Sequence, residues 1–211
     1  GVVAAGTRRH VMRVVEQLGY VQNHLAGSLA TSRSNQVAVI IPSLINNVFT
    51  EVMSGISNEL EKAGYNAVVG ISDYDLNREE TLIYSMMSWR PAGIIVPNIF
   101  HTDRTLNILR NTNIPVVEIM NLSKTPIDIA VGLDQKAAGR ALADHILSRG
   151  YRRFGCVGWN AGDFSAAARF SAIKRSLNQH GFEIFAPKLF DEPPNLAKGK
   201  SGLARLLSQR P

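Results

Sequence analysis

Short apolar runs alternate with amphipathic segments along the chain from residue 36 onward. The runs have the length of β-strands, and apolar residues in the intervening segments recur every three or four positions, as in helices that pack one face against a sheet. This pattern predicts strands at 37–41, 67–71, 93–96, 116–119, 127–131 and 154–157. Because these runs are continuously apolar, we expect an α/β fold of parallel sheets covered by helices on both faces.

The helices predicted between these strands have recognisable start and stop residues. Asn46 or Asn47 is suited to cap the first of them, and Gly64 is suited to end it. The remaining helices are predicted at 76–89, 105–110, 134–149, 165–180 and 203–208. In the helix 134–149 the spacing predicts that Ala138, Leu142 and Ile146 face inward.

A separate helix is predicted before this region, at residues 7–18. Its apolar side chains lie three or four positions apart, at Val11, Val14, Val15 and Leu18. A single helix cannot bury such a stripe by itself. We therefore expect this helix to be the last one of a small helical domain whose earlier helices precede the printed sequence.

The charge of the chain is concentrated near its beginning. The net charge is +6, and residues 1–34, with four arginines and one glutamate, carry +3 of it, which favours a polyanionic partner at this end. The single cysteine, Cys156, excludes an internal disulfide and is typical of a reducing compartment. Since neither a signal peptide nor an apolar run of membrane-spanning length is evident, we expect a cytoplasmic location.

Motifs for catalysis or cofactor binding are weak or absent in the sequence. Gly199-Lys200-Ser201 resembles the end of a phosphate-binding loop, but no strand leads into it. The glycines at 155, 158 and 162 do not have the spacing of a dinucleotide-binding turn. The five histidines show no metal-ligand spacing, and no serine lies in a nucleophile elbow. We therefore expect no metal, no cofactor and no enzymatic reaction.

The segments that follow the predicted strands have the composition of a sugar or polyol site. In parallel sheets ligands bind outside the carboxyl ends of the strands. Asn, Ser, Asp, His and aromatic residues are frequent in these segments, which are 42–49, 72–74, 97–101, 120–123 and 159–165. Such residues supply hydrogen bonds to hydroxyl groups and flat apolar faces to a carbon chain.

Several short motifs in combination resemble one family. The segment Asn23, Leu25-Ala26, Ser28-Leu29 and Ser32-Arg33-Ser34 is similar to the hinge helix of lactose-repressor (LacI/GalR) family transcription regulators. Further similar motifs are Leu18-Gly19-Tyr20, Pro42 with Asn46 and Phe49, Ile114-Pro115-Val116-Val117, and Gly150-Tyr151-Arg152-Arg153. Within the family, the chain most resembles regulators of gluconate utilisation. One departure is Met120, which stands where an aspartate is frequent near the ligand.

The resemblance implies a division of the chain into four parts. Residues 1–20 would be the remnant of a helix-turn-helix headpiece, and residues 21–35 the hinge. Residues 36–133 and 134–211 would be the two lobes of a periplasmic-binding-protein-like sensor, the second lobe incomplete.

The same resemblance implies the function and the residues that carry it. The protein would be an effector-responsive transcription regulator that represses genes for the use of carbohydrates or sugar acids. It would bind operator DNA through its headpiece and hinge as a homodimer. The implied hinge contacts with DNA are Asn23, Ala26 and Leu29. A sugar or sugar acid such as gluconate would bind between the lobes, with Glu118 orienting the site from behind. The implied effector contacts are Asn46, Phe49, Asp73, His101, Asn121 and Arg169.

Dimerisation is expected through the helices around 48–60 and 76–89. Candidate contacts, each of which could equally belong to the core, are Met86, Met87 and Trp89. Two other functions stay open. A sugar-binding receptor of the periplasmic type would share the fold without binding DNA, and an α/β enzyme would share its strand–helix pattern. Salt-dependent binding to duplex DNA separates the regulator from both.

Overall fold

The fold is known from a computed structural model that describes residues 3–20, 34–97, 100–159, 163–190 and 195–209. Helices and strands follow one another through these ranges in the order α1 (Ala5–Gln17), β1 (Gln36–Ile41), α2 (Asn47–Lys62), β2 (Asn66–Ile71), α3 (Leu76–Met87), β3 (Gly93–Val96), α4 (Asp103–Arg110), β4 (Val116–Asn121), β5 (Ile129–Leu133), α5 (Gln135–Ser148), β6 (Phe154–Trp159), α6 (Phe164–Gln179), β7 (Ile184–Phe190) and α7 (Leu196–Ser208).

The first sheet contains five parallel strands in the order β2-β1-β3-β4-β5. The interior strand β1 is buried on both faces, as its continuous apolar sequence predicts. Val39 and its alternate neighbours pack with Phe49 of α2, whereas Ile40 packs on the opposite face with Ile83 of α3. The predicted α/β fold with parallel sheets and helices on both faces is therefore confirmed.

The second sheet consists of the parallel strands β6 and β7. Its core is formed by Ala143 of α5, Phe154 of β6 and Leu177 of α6. The prediction that Leu142 faces inward is wrong, because 50% of this residue is exposed. The buried residues of α5 are instead Gln135, Gly139 and Ala143, at four-residue spacing. These include two small side chains, which allow α5 to pack closely against α6.

The start of α2 was better predicted than the bounds of β5. Asn46 caps α2 by accepting a hydrogen bond from the backbone N–H of Val48 at 3.2 Å, as predicted. Strand β5, however, begins and ends two residues later than predicted. Its carboxyl end is therefore at Leu133, and only the capping residue Asp134 separates it from the first residue of α5.

The candidate dimer contacts differ in how far they are exposed. Met86 is only 4% exposed and lies in the core of the first sheet, so of the two alternatives for this residue the structure supports the core position. Trp89 is 47% exposed and therefore stays a candidate dimer contact.

Helix α1 has no buried residue, so its apolar stripe is not covered by the described part of the chain. None of the helices in the described ranges is long and apolar enough to cross a membrane.

Candidate functional site

A cavity of about 150 Å³ lies where the carboxyl ends of β1, β3 and β4 face the beginnings of α5 and α6. We call it the cleft cavity. It lies where a parallel sheet binds its ligands. Its lining residues are Pro42, Asn46, Val48, Phe49, Tyr74, Pro97, Met120, Gln135, Asp163, Phe164, Ser165 and Arg169.

The wall on the side of the first sheet combines an amide with two aromatic rings. The rings of Phe49 and Tyr74 meet edge to face, with centroids 6.5 Å apart. Asn46 donates from Nδ2 to the Tyr74 hydroxyl at 3.4 Å. Burial raises the pKa of Tyr74, the hydrogen bond with Asn46 lowers it, and the charge of Asp163 raises it further. The hydroxyl therefore keeps its proton at neutral pH and can hydrogen-bond a ligand as donor or acceptor.

The opposite wall is built from the beginnings of α5 and α6. Asp163 caps α6 by accepting from the backbone N–H of Ala166 at 3.0 Å, which fixes the first turn of this helix at the cavity. Arg169 lies on the same helix and donates from a terminal guanidinium nitrogen to Oε1 of Gln135 at 2.5 Å. The site therefore places a guanidinium opposite an aromatic pair, which suits a ligand with a carbon chain and an anionic group.

Two further contacts join the walls. Gln135 donates from Nε2 to the backbone carbonyl of Met120 at 3.1 Å. Ser165 donates from Oγ to Oδ1 of Asn121 at 3.0 Å. Both bonds run from the start of a second-sheet helix to the end of β4, so they hold the two sides of the cleft cavity together.

Three of the six predicted effector contacts line the cleft cavity, namely Asn46, Phe49 and Arg169. The other three do not border it. The exposed Asp73 forms an ion pair with Arg78. The side chain of His101 is fully buried and hydrogen-bonds through Nδ1 to Oε1 of Glu79 at 2.6 Å. All six assignments of effector contacts stay predictions.

Asn121, the third residue that does not border the cleft cavity, borders an adjoining cavity of about 720 Å³ that shares Gln135 and Phe164 with the cleft cavity. Its Nδ2 atom is buried and has no hydrogen-bond partner within the described ranges. Glu118, which was expected to orient the site, accepts a hydrogen bond from the backbone N–H of Ile127 at 2.7 Å through Oε2. The predicted hinge contacts Asn23, Ala26 and Leu29 lie outside the described residues.

Tyr74 and Gln135 line the cavity but were not predicted as contacts. Tyr74 belongs to the segment 72–74, which the sequence analysis placed after a strand, so its aromatic ring could have been predicted to face the ligand. Gln135 was missed because β5 was predicted to end at residue 131, four residues before it, whereas the strand ends at Leu133.

Backbone strain is concentrated around this site. Asp73, Tyr74 and Met120 have positive φ angles of 51°, 61° and 75°. Such conformations are costly for residues other than glycine, and they are frequent at ligand sites. Met120 supplies the carbonyl that Gln135 contacts, so the strained backbone belongs to the link between the walls.

Other places in the described part of the chain are less suited to the predicted chemistry. A cavity of about 440 Å³ lies at the opposite, amino ends of β6 and β7, against Leu206 and Leu207. That end of a parallel sheet is not where ligands usually bind. No group of three or more His, Cys, Asp or Glu side chains in the described ranges is arranged to hold a metal ion.

Comparison with known proteins shows a consistent set of relatives. The family model described as periplasmic binding proteins and sugar binding domain of LacI family matches residues 34–211. The HTH-type transcriptional regulator GntR of Escherichia coli (strain K12) is 34% identical over 156 residues, which cover 74% of this chain and 47% of that protein. The regulator of the same name from Pseudomonas aeruginosa is 31% identical over 214 residues, covering 99% of this chain and 61% of that protein.

A solved structure gives the same result. A LacI family transcriptional regulator from Silicibacter pomeroyi superposes with a TM-score of 0.94 and 41% sequence identity, covering 99% of this chain and 63% of the other. The chain thus spans between about half and two thirds of the length of these relatives.

Proposed function

Because the chain belongs to the LacI family, we propose that it is an effector-responsive, DNA-binding transcription regulator that represses genes for the use of sugars or sugar acids. The family predicted from the sequence motifs is confirmed by the relatives, and so is the likeness to the gluconate group. We propose that the protein acts in the cytoplasm as a homodimer. It would contact operator DNA through residues 1–35, including Asn23, Ala26 and Leu29.

The observation that carries the proposal is the composition of the cleft cavity. Phe49 and Tyr74 offer aromatic faces to a carbon chain, and Asn46 offers an amide to hydroxyl groups. Arg169 supplies a guanidinium, whose parallel N–H groups match a carboxylate. This combination favours a sugar acid, gluconate being the example to test first.

The charge distribution supports the DNA-binding part of the proposal. Helix α1 carries three exposed arginines that no described residue covers, namely Arg8, Arg9 and Arg13. Lysine and arginine side chains that neutralise phosphates make binding strongly dependent on salt. We therefore expect the full-length protein to bind its operator with an affinity that falls steeply as the salt concentration rises.

The experiment that tests the effector site compares Arg169→Ala with Arg175→Ala, an exposed arginine further along α6. Calorimetry with gluconate and other six-carbon sugar acids should show a loss of at least about 2 kcal/mol, or about thirtyfold in Kd, for Arg169→Ala. Arg175→Ala should bind like the wild type, and both variants should keep their operator affinity. Unchanged sugar-acid binding by Arg169→Ala would contradict the assignment.

A further inference from the structure

We propose that Gln135 is a positioning residue that fixes the Arg169 guanidinium for a carboxylate and thereby sets the preference of the cleft cavity for sugar acids over neutral sugars. The inference rests on the proposed function. Gln135 is 8% exposed and touches both walls of the cavity. Its role was not indicated by any sequence motif.

The two hydrogen bonds of Gln135 leave only one orientation for its amide. Oε1 must face Arg169, which can only donate, and Nε2 must face the carbonyl of Met120, which can only accept. A swapped amide would place donor against donor and acceptor against acceptor. The side chain is therefore fixed at both ends, and the guanidinium that it contacts is fixed with it.

Close packing brings Gln135 within reach of Arg169. Gly139 lies one turn further along α5, and a Cβ atom there would lie 2.5 Å from the carbonyl oxygen of Arg169. Across the sheet, Gly132 pairs with Met120, and a Cβ atom there would lie 2.4 Å from the backbone nitrogen of Asn121. Gly139 thus permits the close approach of α6 to α5. Gly132 permits the backbone of Met120 and Asn121 to pass close to β5.

The chemistry of an amide explains why a glutamine suits this position. Arginine has five N–H donors, and the bond to Gln135 engages a terminal nitrogen while others stay available to a ligand. Because the amide is neutral, it orients the guanidinium without neutralising it. No carboxylate in the described ranges lies within ion-pair distance of Arg169. A pre-positioned, uncompensated guanidinium favours an anionic ligand, since less conformational freedom is lost on binding.

The test measures two probes, D-gluconate and its neutral alcohol D-glucitol, with the full-length protein and competition calorimetry. Gln135→Met preserves the length of the side chain but removes both hydrogen bonds. We expect the preference for gluconate over glucitol to fall about tenfold or more, the scale of a charge-assisted hydrogen bond. Gln135→Glu adds a negative charge beside Arg169 and should reduce gluconate binding further, while glucitol binding changes much less.

Controls separate positioning from a purely structural role. Gln179→Met, at the exposed end of α6, should leave both affinities unchanged. If Gln135→Met lowers the affinities for both probes equally, or if neither Gln135 variant alters the preference, the inference is overturned. If the wild type binds neither probe, or if Arg169→Ala keeps its preference for gluconate, it is the proposed function that fails. The equal-sized Glu variant keeps the test open if the Met variant does not fold.

Discussion

At the scale of single residues, burial decides how much a polar pair contributes. The side chains of Glu79 and His101 are 1% and 0% exposed, and their hydrogen bond lies in the first-sheet half of the molecule. Glu59 and Lys62 form an ion pair at a similar distance on α2, but their side chains are 75% and 71% exposed. Water competes for the second pair but not for the first, so only the first should matter to stability.

We therefore predict different effects for two equivalent substitutions. Glu79→Ala leaves the buried ring of His101 without its partner and should reduce the free energy of unfolding by at least about 2 kcal/mol. Glu59→Ala should change it by less than about 0.5 kcal/mol. Urea denaturation of both variants checks the difference. Equal effects would mean that the pair contributes nothing beyond a surface interaction.

The sequence indicated several residues that line the cleft cavity, but it could not show which partner each side chain contacts. Asn46, Phe49 and Arg169 line the cleft cavity, and their contact with an effector stays a prediction. His101 also follows a strand, yet it contacts Glu79 of another helix. A sequence shows that His101 is close to the ligand edge of a sheet. It does not show that a buried carboxylate from residue 79 lies beside it.

At the scale of elements, the contact between α5 and α6 depends on the absence of a side chain at Gly139. A Cβ atom at this position would lie 2.5 Å from the Arg169 carbonyl oxygen and 2.8 Å from Cβ of Ala172. The first of these neighbours is backbone and cannot rotate away. The helices must separate to admit a methyl group, and this separation would also displace Arg169 from Gln135.

Gly139→Ala should therefore destabilise the protein although alanine is the better helix former. We expect a loss of about 1–3 kcal/mol, typical of overpacking. Gly55→Ala, in the exposed middle of α2 where nothing lies within 4 Å, should instead raise stability by up to about 1 kcal/mol. Thermal unfolding of the two variants measures the opposite signs. A stabilising Gly139→Ala would contradict the close packing.

Element boundaries were predictable where local signals and tertiary packing agree. The strand at Gly93–Val96 has the predicted bounds. Strand β7 was not predicted, because Pro187 interrupts its apolar run, and its pairing with β6 contains a register shift near this position. Helix α7 begins at Leu196, earlier than predicted, since Gly199 and Gly202 weaken the helical pattern of its first half. Gly202 is buried there against Val157 of β6, a contact that no local pattern reveals.

At the scale of the whole molecule, the first sheet and its helices leave large apolar side chains exposed. Tyr84 of α3 is 62% exposed, Trp89 after the same helix is 47% exposed, and Val48 of α2 is 49% exposed. Aromatic residues are enriched at protein interfaces and often contribute most of the binding energy. These residues lie in the two helical regions where dimerisation was predicted, and the dimer remains a prediction.

Trp89→Asp should therefore weaken the homodimer without unfolding the protomer. Replacing an interface tryptophan by a charged residue should cost at least about 2 kcal/mol of association energy, or about thirtyfold in the dimer dissociation constant. Leu203→Asp is the matched control, since Leu203 on α7 is 51% exposed but distant in sequence from the predicted interface. Sedimentation equilibrium at micromolar concentration should show a dimer for the wild type and the control, and a shift toward monomer for Trp89→Asp. A monomeric wild type would refute the homodimer. A Trp89→Asp protein as dimeric as the control would instead place the interface elsewhere on the molecule.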